Sequence, residues 1–388
     1  MKITSVLIFA FTLFLSPMNS ANAFIGKNKI AALSSEVNIS KEDFISKTNA
    51  IEEVPLGNQS LAFKVRLPKN WIKQNQDATA NLEANEILVQ VATYLSPPRI
   101  ERKSIFRVSV ISLDSLITAE DWFISYMLEM GFSIEGMKVE SPKLVQAQYT
   151  VFEDGEPYGV RAVISLSESK IVLAEYLVHQ DMYAVERGEQ VWAMSGFSLV
   201  NPSKKVEIST KNFNFVDIAK FDYPATWSLR APDIIDITRM EASVVNTKSL
   251  SDAKGELRGR IDVSIIAKSQ EFTLQDEINI LSESLKTRGY KLGKFIETIP
   301  ENDFNPLITT SRIDAYDVEG VSTKLIGYEF WVAALQSKGR YYLIRLTTMS
   351  RAENFRVWAE NVETYKFLLR SLGPVSVSSE EEEQNQSE

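Results

Sequence analysis

The sequence predicts an α+β protein of two tandem domains, each a mainly antiparallel β-sheet flanked by α-helices. Three observations predict it. A unit of about 155 residues recurs in order and spacing, each copy contains a hairpin of alternating strands, and a Thr-capped helix interrupts each copy at the same place.

Each copy opens on a strand. Phe63 to Trp71 reads FKVRLPKNW and Phe221 to Trp227 reads FDYPATW, so both end in Pro-x-x-Trp, with Pro68 and Pro224 156 positions apart. The strand-like FRVSVISL starts 38 residues after Pro68, at Phe106, and IDVSIIA starts 37 after Pro224, at Ile261. Thr118-Ala-Glu-Asp121 and Thr273-Leu-Gln-Asp276 then start helices, the hydroxyl capping free amides and the carboxylate meeting the positive helix end. Leu274, Ile278, Leu281 and Leu285 line one face of the second helix, and Trp122, Tyr126 and Met130 recur at fourfold spacing in the first. Both helices are expected to stop at a Gly-aromatic pair, Gly131-Phe132 and Gly289-Tyr290, because glycine accepts the left-handed cap.

Hairpins follow. Arg161 to Leu166 and Ile171 to Val178 flank a turn at Ser167 to Lys170; Glu329 to Leu335 and Arg340 to Thr347 flank one at Gln336 to Gly339. The second copy closes with a helix whose capping box is read at Ser350-Arg-Ala-Glu353 and whose apolar stripe is Phe355, Trp358, Val362, Tyr365 and Leu369. The first copy closes less regularly across Met182 to Leu199, where Gly188 and Gly196 lower helix propensity.

The boundaries read from this pattern are a signal peptide at 1–23, a flexible lead-in at 24–55 and a first domain at 56–200. A linker at 201–210, a second domain at 211–373 and a disordered acidic tail at 374–388 complete the chain. Lys2 precedes an apolar run from Ile3 to Leu15, and Ala21-Asn22-Ala23 supplies the small-x-small pattern of a signal peptidase site, so cleavage is expected after Ala23. That run is short of the roughly 20 residues a spanning helix needs. The expected location is therefore periplasmic or secreted, with no transmembrane span after cleavage. Removing residues 1–23, which carry one Lys, leaves 365 residues and a formal charge of -10.

Composition excludes several chemistries. With no cysteine, disulfides, zinc-thiolate sites, thiol nucleophiles and a lipidated N-terminus are ruled out. His179 is the one histidine, so no two-histidine metal site forms within the chain. The negative charge argues against nucleic acid as a partner. No Gly-rich phosphate loop, Gly-x-Ser-x-Gly elbow or His-Glu-x-x-His motif is present, and no catalytic, cofactor-binding or metal residue is assigned.

The order of strand, Pro-x-x-Trp, Thr-capped helix, hairpin and aromatic-striped helix resembles the PsbP-like fold. That fold is shared by the oxygen-evolving-complex protein PsbP, the Ran-binding Mog proteins and periplasmic DcrB-type lipoproteins. The resemblance covers nearly all of the chain beyond the signal peptide, twice over. It implies a non-enzymatic binding or assembly protein. No family site residue carries over, because the metal positions of PsbP-type proteins use histidines this chain lacks, and the missing cysteine departs from the DcrB-type members.

The strongest interaction feature is a pair of basic segments before the second strand of each copy: Arg99, Arg102, Lys103 and Arg107, then Lys254, Arg258 and Arg260. Solvated charges near a strand edge are the simpler account of them. Trp71 and Trp227 match in position, which favours packing over ligand stacking. His179 reads as a loop residue at a strand end. The acids at Glu153, Asp154 and Glu156 and at Asp317 and Glu319 read as turn residues beside Gly155 and Gly320. The expectation is an envelope module acting through contacts with a protein partner. A hydrolase using carboxylates and a carrier of a small apolar ligand are the alternatives.

Overall fold

In the computed structural model the described residues are 30–74, 87–98, 102–203, 208–232, 236–246, 257–287, 290–300, 303–320 and 327–375. The signal peptide, Gly289 and the acidic run at 380–383 lie outside them.

The first half runs α1 (Lys41–Lys47), β1 (Thr48–Glu53), β2 (Phe63–Pro68), β3 (Ile72–Lys73), β4 (Val89–Leu95) and β5 (Ile105–Ser112), then α2 (Ala119–Met130). It continues through β6 (Ile134–Ser141), β7 (Leu144–Glu153), β8 (Glu156–Ser167), β9 (Lys170–His179), α3 (Tyr183–Ser195) and β10 (Ser198–Leu199). The second half repeats the order: β11 (Thr210–Phe215), β12 (Ala219–Pro224), β13 (Trp227–Arg230), β14 (Arg239–Asn246), β15 (Gly259–Ala267) and α4 (Leu274–Thr287). Then come β16 (Tyr290–Thr298), β17 (Thr310–Gly320), β18 (Tyr328–Gln336), β19 (Arg340–Met349), α5 (Phe355–Ser371) and β20 (Gly373–Pro374).

The recurrence seen in the sequence is a recurrence of topology. One seven-stranded antiparallel sheet is ordered β3-β4-β5-β9-β8-β7-β6 and the other β13-β14-β15-β19-β18-β17-β16. Each half adds a three-stranded sheet, β1-β2-β10 and β11-β12-β20. The matched prolines end matched pairings, Thr48 opposite Pro68 and Thr210 opposite Pro224, where a residue without an N–H suits a strand end.

The Thr-capped helices form as expected. Asp121 N–H donates to Thr118 Oγ1 at 3.0 Å, and Gly131 closes α2 at φ 71°. At the start of α4 the Asp276 N–H likewise donates to Thr273 Oγ1, at 3.3 Å, and the Thr273 N–H donates back to Asp276 Oδ2. The last helix begins later than the sequence suggested. Ser350 caps a turn, and Asn354 is the residue that accepts from Val357 N–H at 3.0 Å. Arg351 is thereby left outside the helix, where it reaches Glu329. Gly188 does not break α3; it lies against Asn38, and a Cβ there would sit 2.1 Å from the Asn38 amide oxygen.

Three other expectations differ from the fold. Residues 30–55, expected to be a lead-in, include α1 and β1, and residues 31–39 bond to β6, β8 and α3. Pro374, expected in the tail, belongs to β20. Asp317 and Glu319 lie within β17 rather than in a turn.

Alternation along the strands builds the cores. Phe106, Val108 and Val110 of β5 face α3, whereas Ile105 and Ile111 face the opposite way, toward α2. Trp122, Phe123 and Met127 carry α2 onto β7 and β8, each burial worth roughly 1.5–3 kcal/mol. The same apolar cluster continues through α5 and β12 into the second seven-stranded sheet. Trp71 packs edge-on to Tyr176 at 5.0 Å, and Trp227 is buried in that larger cluster.

Candidate functional site

Two matched strand pairs carry an ion pair of opposite polarity. In the first half Arg107 of β5 stands across from Glu175 of β9. In the second half Asp262 of β15, 155 positions beyond Arg107, stands across from Arg345 of β19. Both pairs lie on the sheet face that carries the Thr-capped helix. Around them the two halves diverge.

The first pair is closed. Arg107 Nε meets Glu175 Oε2 at 2.7 Å, its Nη1 meets Glu153 Oε1 at 2.6 Å, and the buried Tyr149 hydroxyl donates to Glu175 Oε1 at 2.5 Å. Burial opposes the charge on Arg107, but Glu175 and Glu153 overcome it and hold the guanidinium above its ordinary range. Burial, then the Glu175 charge, pushes the hydroxyls of Tyr149 and of Tyr126 on α2 upward. Arg107, Glu175, Glu153 and Tyr149 are all bonded to one another through this set, which suits a structural clamp.

The second pair is open. Arg345 Nη2 is 4.0 Å from Asp262 Oδ2, while Asp262 Oδ1 accepts from Arg260 Nε at 2.7 Å and from Ser243 Oγ at 2.6 Å. Between α4 and strands β14, β15 and β19 lies a cavity of about 240 Å³. Its charged lining is Arg239, Arg260 and Arg345 with Glu241, Asp262 and Glu277, and Arg239 pairs with Glu277 across the helix-sheet gap. The local sequence causes this. In β14, Met240, Ala242 and Val244 face the core, so Arg239, Glu241 and Ser243 face the groove; Arg260, Asp262 and Ser264 do the same in β15. Above them α4 buries only Glu277 and Leu285, where α2 buries Trp122, Phe123 and Met127. A helix with smaller side chains leaves the space that aromatic residues fill in the first half.

The basic segments expected from sequence are dispersed by the fold. Arg99 and Lys254 lie outside the described residues. Arg102 pairs with Glu156 at 3.0 Å, Lys103 is exposed, and Arg107 is inside β5 in the clamp. Arg258 offers its carbonyl to Asn361 Nδ2 at 2.7 Å, and Arg260 is a strand residue lining the groove. The structure therefore brings Arg260 together with arginines that sequence reading did not single out, Arg239 and Arg345. The alternating RMEAS segment was the signal for Arg239, and the alternation of RYYLIRLTTM in β19 the signal for Arg345.

His179 ends β9 as a buried residue rather than a loop residue. Its Nδ1 accepts from Asp181 N–H at 3.2 Å, Nε2 lies 3.4 Å from Glu156 Oε2, and the ring stands edge-on to Tyr158. Bonds to His179 and Arg102 hold the Glu156 carboxyl below its ordinary range. The second half has a buried clamp of its own on the α5 face: Glu329 accepts from Arg351 Nε at 2.8 Å and from the indoles of Trp331 and Trp358 at 3.1 and 2.9 Å. Among the described residues no group of three His, Asp or Glu is placed to hold a metal ion, and no helix is long and apolar enough to cross a membrane.

No family model matches this chain, and no curated protein matches it. Solved structures do resemble it. Cyanobacterial PsbP from Synechocystis sp. PCC 6803 is 11% identical over 43% of this chain and 98% of its own, with a TM-score of 0.29. The Ran-binding protein Mog1p of Saccharomyces cerevisiae is 12% identical over 44% of this chain and 97% of its own, with a TM-score of 0.30. The type VI secretion immunity protein TplEi of Pseudomonas aeruginosa is 10% identical over 86% of this chain and all of its own, with a TM-score of 0.20. At these identities and scores the likenesses assign neither function nor partner.

Proposed function

We propose that this chain is a non-enzymatic binding module of the cell envelope, built from two tandem PsbP-like domains, whose partner is a protein engaged at the groove beneath α4. The observation that supports this reading is the asymmetry between the matched positions. Where the first half closes its helix-sheet space around Arg107 and Glu175, the second leaves about 240 Å³ lined by paired charges of both signs. Such a lining suits polar and charged side chains presented by a partner, which exchange ion pairs with Arg239, Arg260 and Arg345. Export through residues 1–23 and solubility after cleavage belong to the same reading. A role for the exposed Lys103 segment is a separate part of it.

The test is a crosslinking pull-down from envelope extracts of the source cells. Arg239→Glu combined with Arg260→Glu is expected to lower recovery of the wild-type partner at least tenfold, while Lys103→Glu leaves it unchanged. Equal recovery by the groove variant and wild type removes the groove from the function. A loss confined to Lys103→Glu transfers the contact to the first half.

A further inference from the structure

On the opposite face of the first sheet, β8 carries a buried arginine with no acid to match it. Arg161 is 4% exposed, and it stands in register between Gln148 of β7 and Tyr176 of β9. Its Nη1 donates to the backbone carbonyl of Ser34 at 2.5 Å, and its buried Nε has no hydrogen-bond partner. Among the described residues no carboxylate bonds it. A second guanidinium stands close by: Arg187 of α3 donates to Ser34 Oγ at 2.8 Å and to the exposed Glu36 at 3.0 Å. Burial, and then Arg187, depress the Arg161 guanidinium below its ordinary range.

The covering segment is an extended strap. Ala31 accepts from the Met137 amide of β6 at 2.9 Å, and Ser34 and Glu36 meet the arginines. Asn38 donates to Ala184 and Val185, and Ile39 accepts from the Trp192 indole at 3.1 Å. A carbonyl dipole offsets only part of a full buried charge, and an unpaired buried ion is among the most unfavourable groups a core can hold. Other buried charged groups of the protein show how it deals with such a group. Glu175 has Arg107, and Glu329 has Arg351.

We propose that Arg161 and Arg187 form an oxyanion site beneath this strap, in which the Ser34 carbonyl occupies the place of a ligand oxygen. The ligand class is a carboxylate or phosphate with at least two acceptor oxygens, because a guanidinium fork presents parallel donors to such a group. The Nη1 now spent on Ser34 and the Nη2 beside it form the fork it takes, and the unbonded Nε is a further donor of the same guanidinium. Binding displaces the strap around Ser34, so the site couples anion capture to release of residues 31–39.

The test uses the full chain, titrated with inorganic phosphate or with succinate at constant ionic strength, sodium chloride serving as reference. The expected result is a saturable rise in Tm with one of the two oxyanions, a midpoint at least tenfold weaker in Arg161→Met, and faster amide exchange at Met137 on binding. Phosphate and succinate separate the two sources of the oxyanion. A response equal to that of chloride, or an equal midpoint in wild type and variant, overturns the proposal. If Arg161→Met does not fold, Arg187→Met is read in the same way, and an unchanged midpoint there overturns it as well.

Discussion

The two halves place oppositely wired ion pairs at one register position, and only one of them is sealed. Arg107–Glu175 sits under the aromatic-rich α2, with Tyr149 and Glu153 completing its bonds. Asp262–Arg345 sits beside the thinner α4, stretched to 4.0 Å and shared with Arg260 and Ser243. Reversing the polarity conserves the Coulomb attraction, so the strand pairing tolerates it. What changes is how tightly the pair is bonded. Both oxygens of Glu175 are bonded and the closed pair depends on each partner, whereas Asp262 divides its bonds between Arg260 and Ser243 and meets Arg345 only at 4.0 Å. The first half thus closes its charges into bonds of the fold, and the second leaves its charges lining a groove.

The largest expected effect tests that contrast directly. Glu175→Ala leaves the half-buried Arg107 with only the partly exposed Glu153 and the buried Tyr149 hydroxyl without its acceptor, and is expected to destabilise the protein by up to ~3–5 kcal/mol, the range for breaking a buried pair. Asp262→Ala at the matched position, where the contact to Arg345 is 4.0 Å long, is expected to cost less than Glu175→Ala. Urea denaturation of both variants checks this. Equal costs mean that the groove is as structural as the clamp.

A smaller effect follows from single hydrogen bonds. Tyr149→Phe removes a buried hydroxyl bonded to a charged carboxylate and is expected to cost ~1.5–3 kcal/mol. Ser243→Ala removes a hydroxyl bonded to Asp262 at the groove, where water replaces it, and is expected to stay within ~0.5 kcal/mol. Thermal unfolding of the two variants side by side reads the difference; a cost at Ser243 that matches Tyr149 breaks the comparison.

Much of this architecture was legible in the chain. Pro-x-x-Trp, the Thr-x-x-Asp helix starts and the hairpins all lie within short windows, where local geometry ties residue type to conformation. The pairing of charges was not legible. Arg107 reads as one of a run of cations beside Arg102 and Lys103, and its partner Glu175 is 68 residues away across a strand register. His179 reads as a loop residue because its burial depends on Tyr158 and Glu156 from the neighbouring strand. Arg239 and Arg345 carry no motif; only the strand alternation of β14 and β19 marks them, and their face becomes a groove only once α4 fails to fill it. The strap at 31–39 escaped detection because an extended segment bonded through side chains has no periodicity of its own to read.

The smallest effect concerns the contact between the halves. Glu363 of α5 bonds Arg370 at 3.0 Å and lines, with Leu113, Ile117 and Thr118 from the α2 approach, a mainly apolar cavity of about 160 Å³. Burial holds its carboxyl above the ordinary glutamate range, against the lowering effect of Arg370 and Lys366, and Asp121 of α2 adds to the rise. A carboxyl whose folded value is raised contributes stability that is fully present below its unfolded value, about 4.3, and lost as pH rises through the folded one. Glu363→Gln mimics the protonated acid at every pH. The variant is therefore expected to match wild type near pH 4 and to exceed it by less than ~1 kcal/mol near pH 8. Urea midpoints at the two pH values read this gap. A variant less stable than wild type at pH 8 shows that the Arg370 pair outweighs burial. In that case the contact between the halves is held by charge, as in the first-half clamp, rather than by the apolar cluster that runs through α2 and α5.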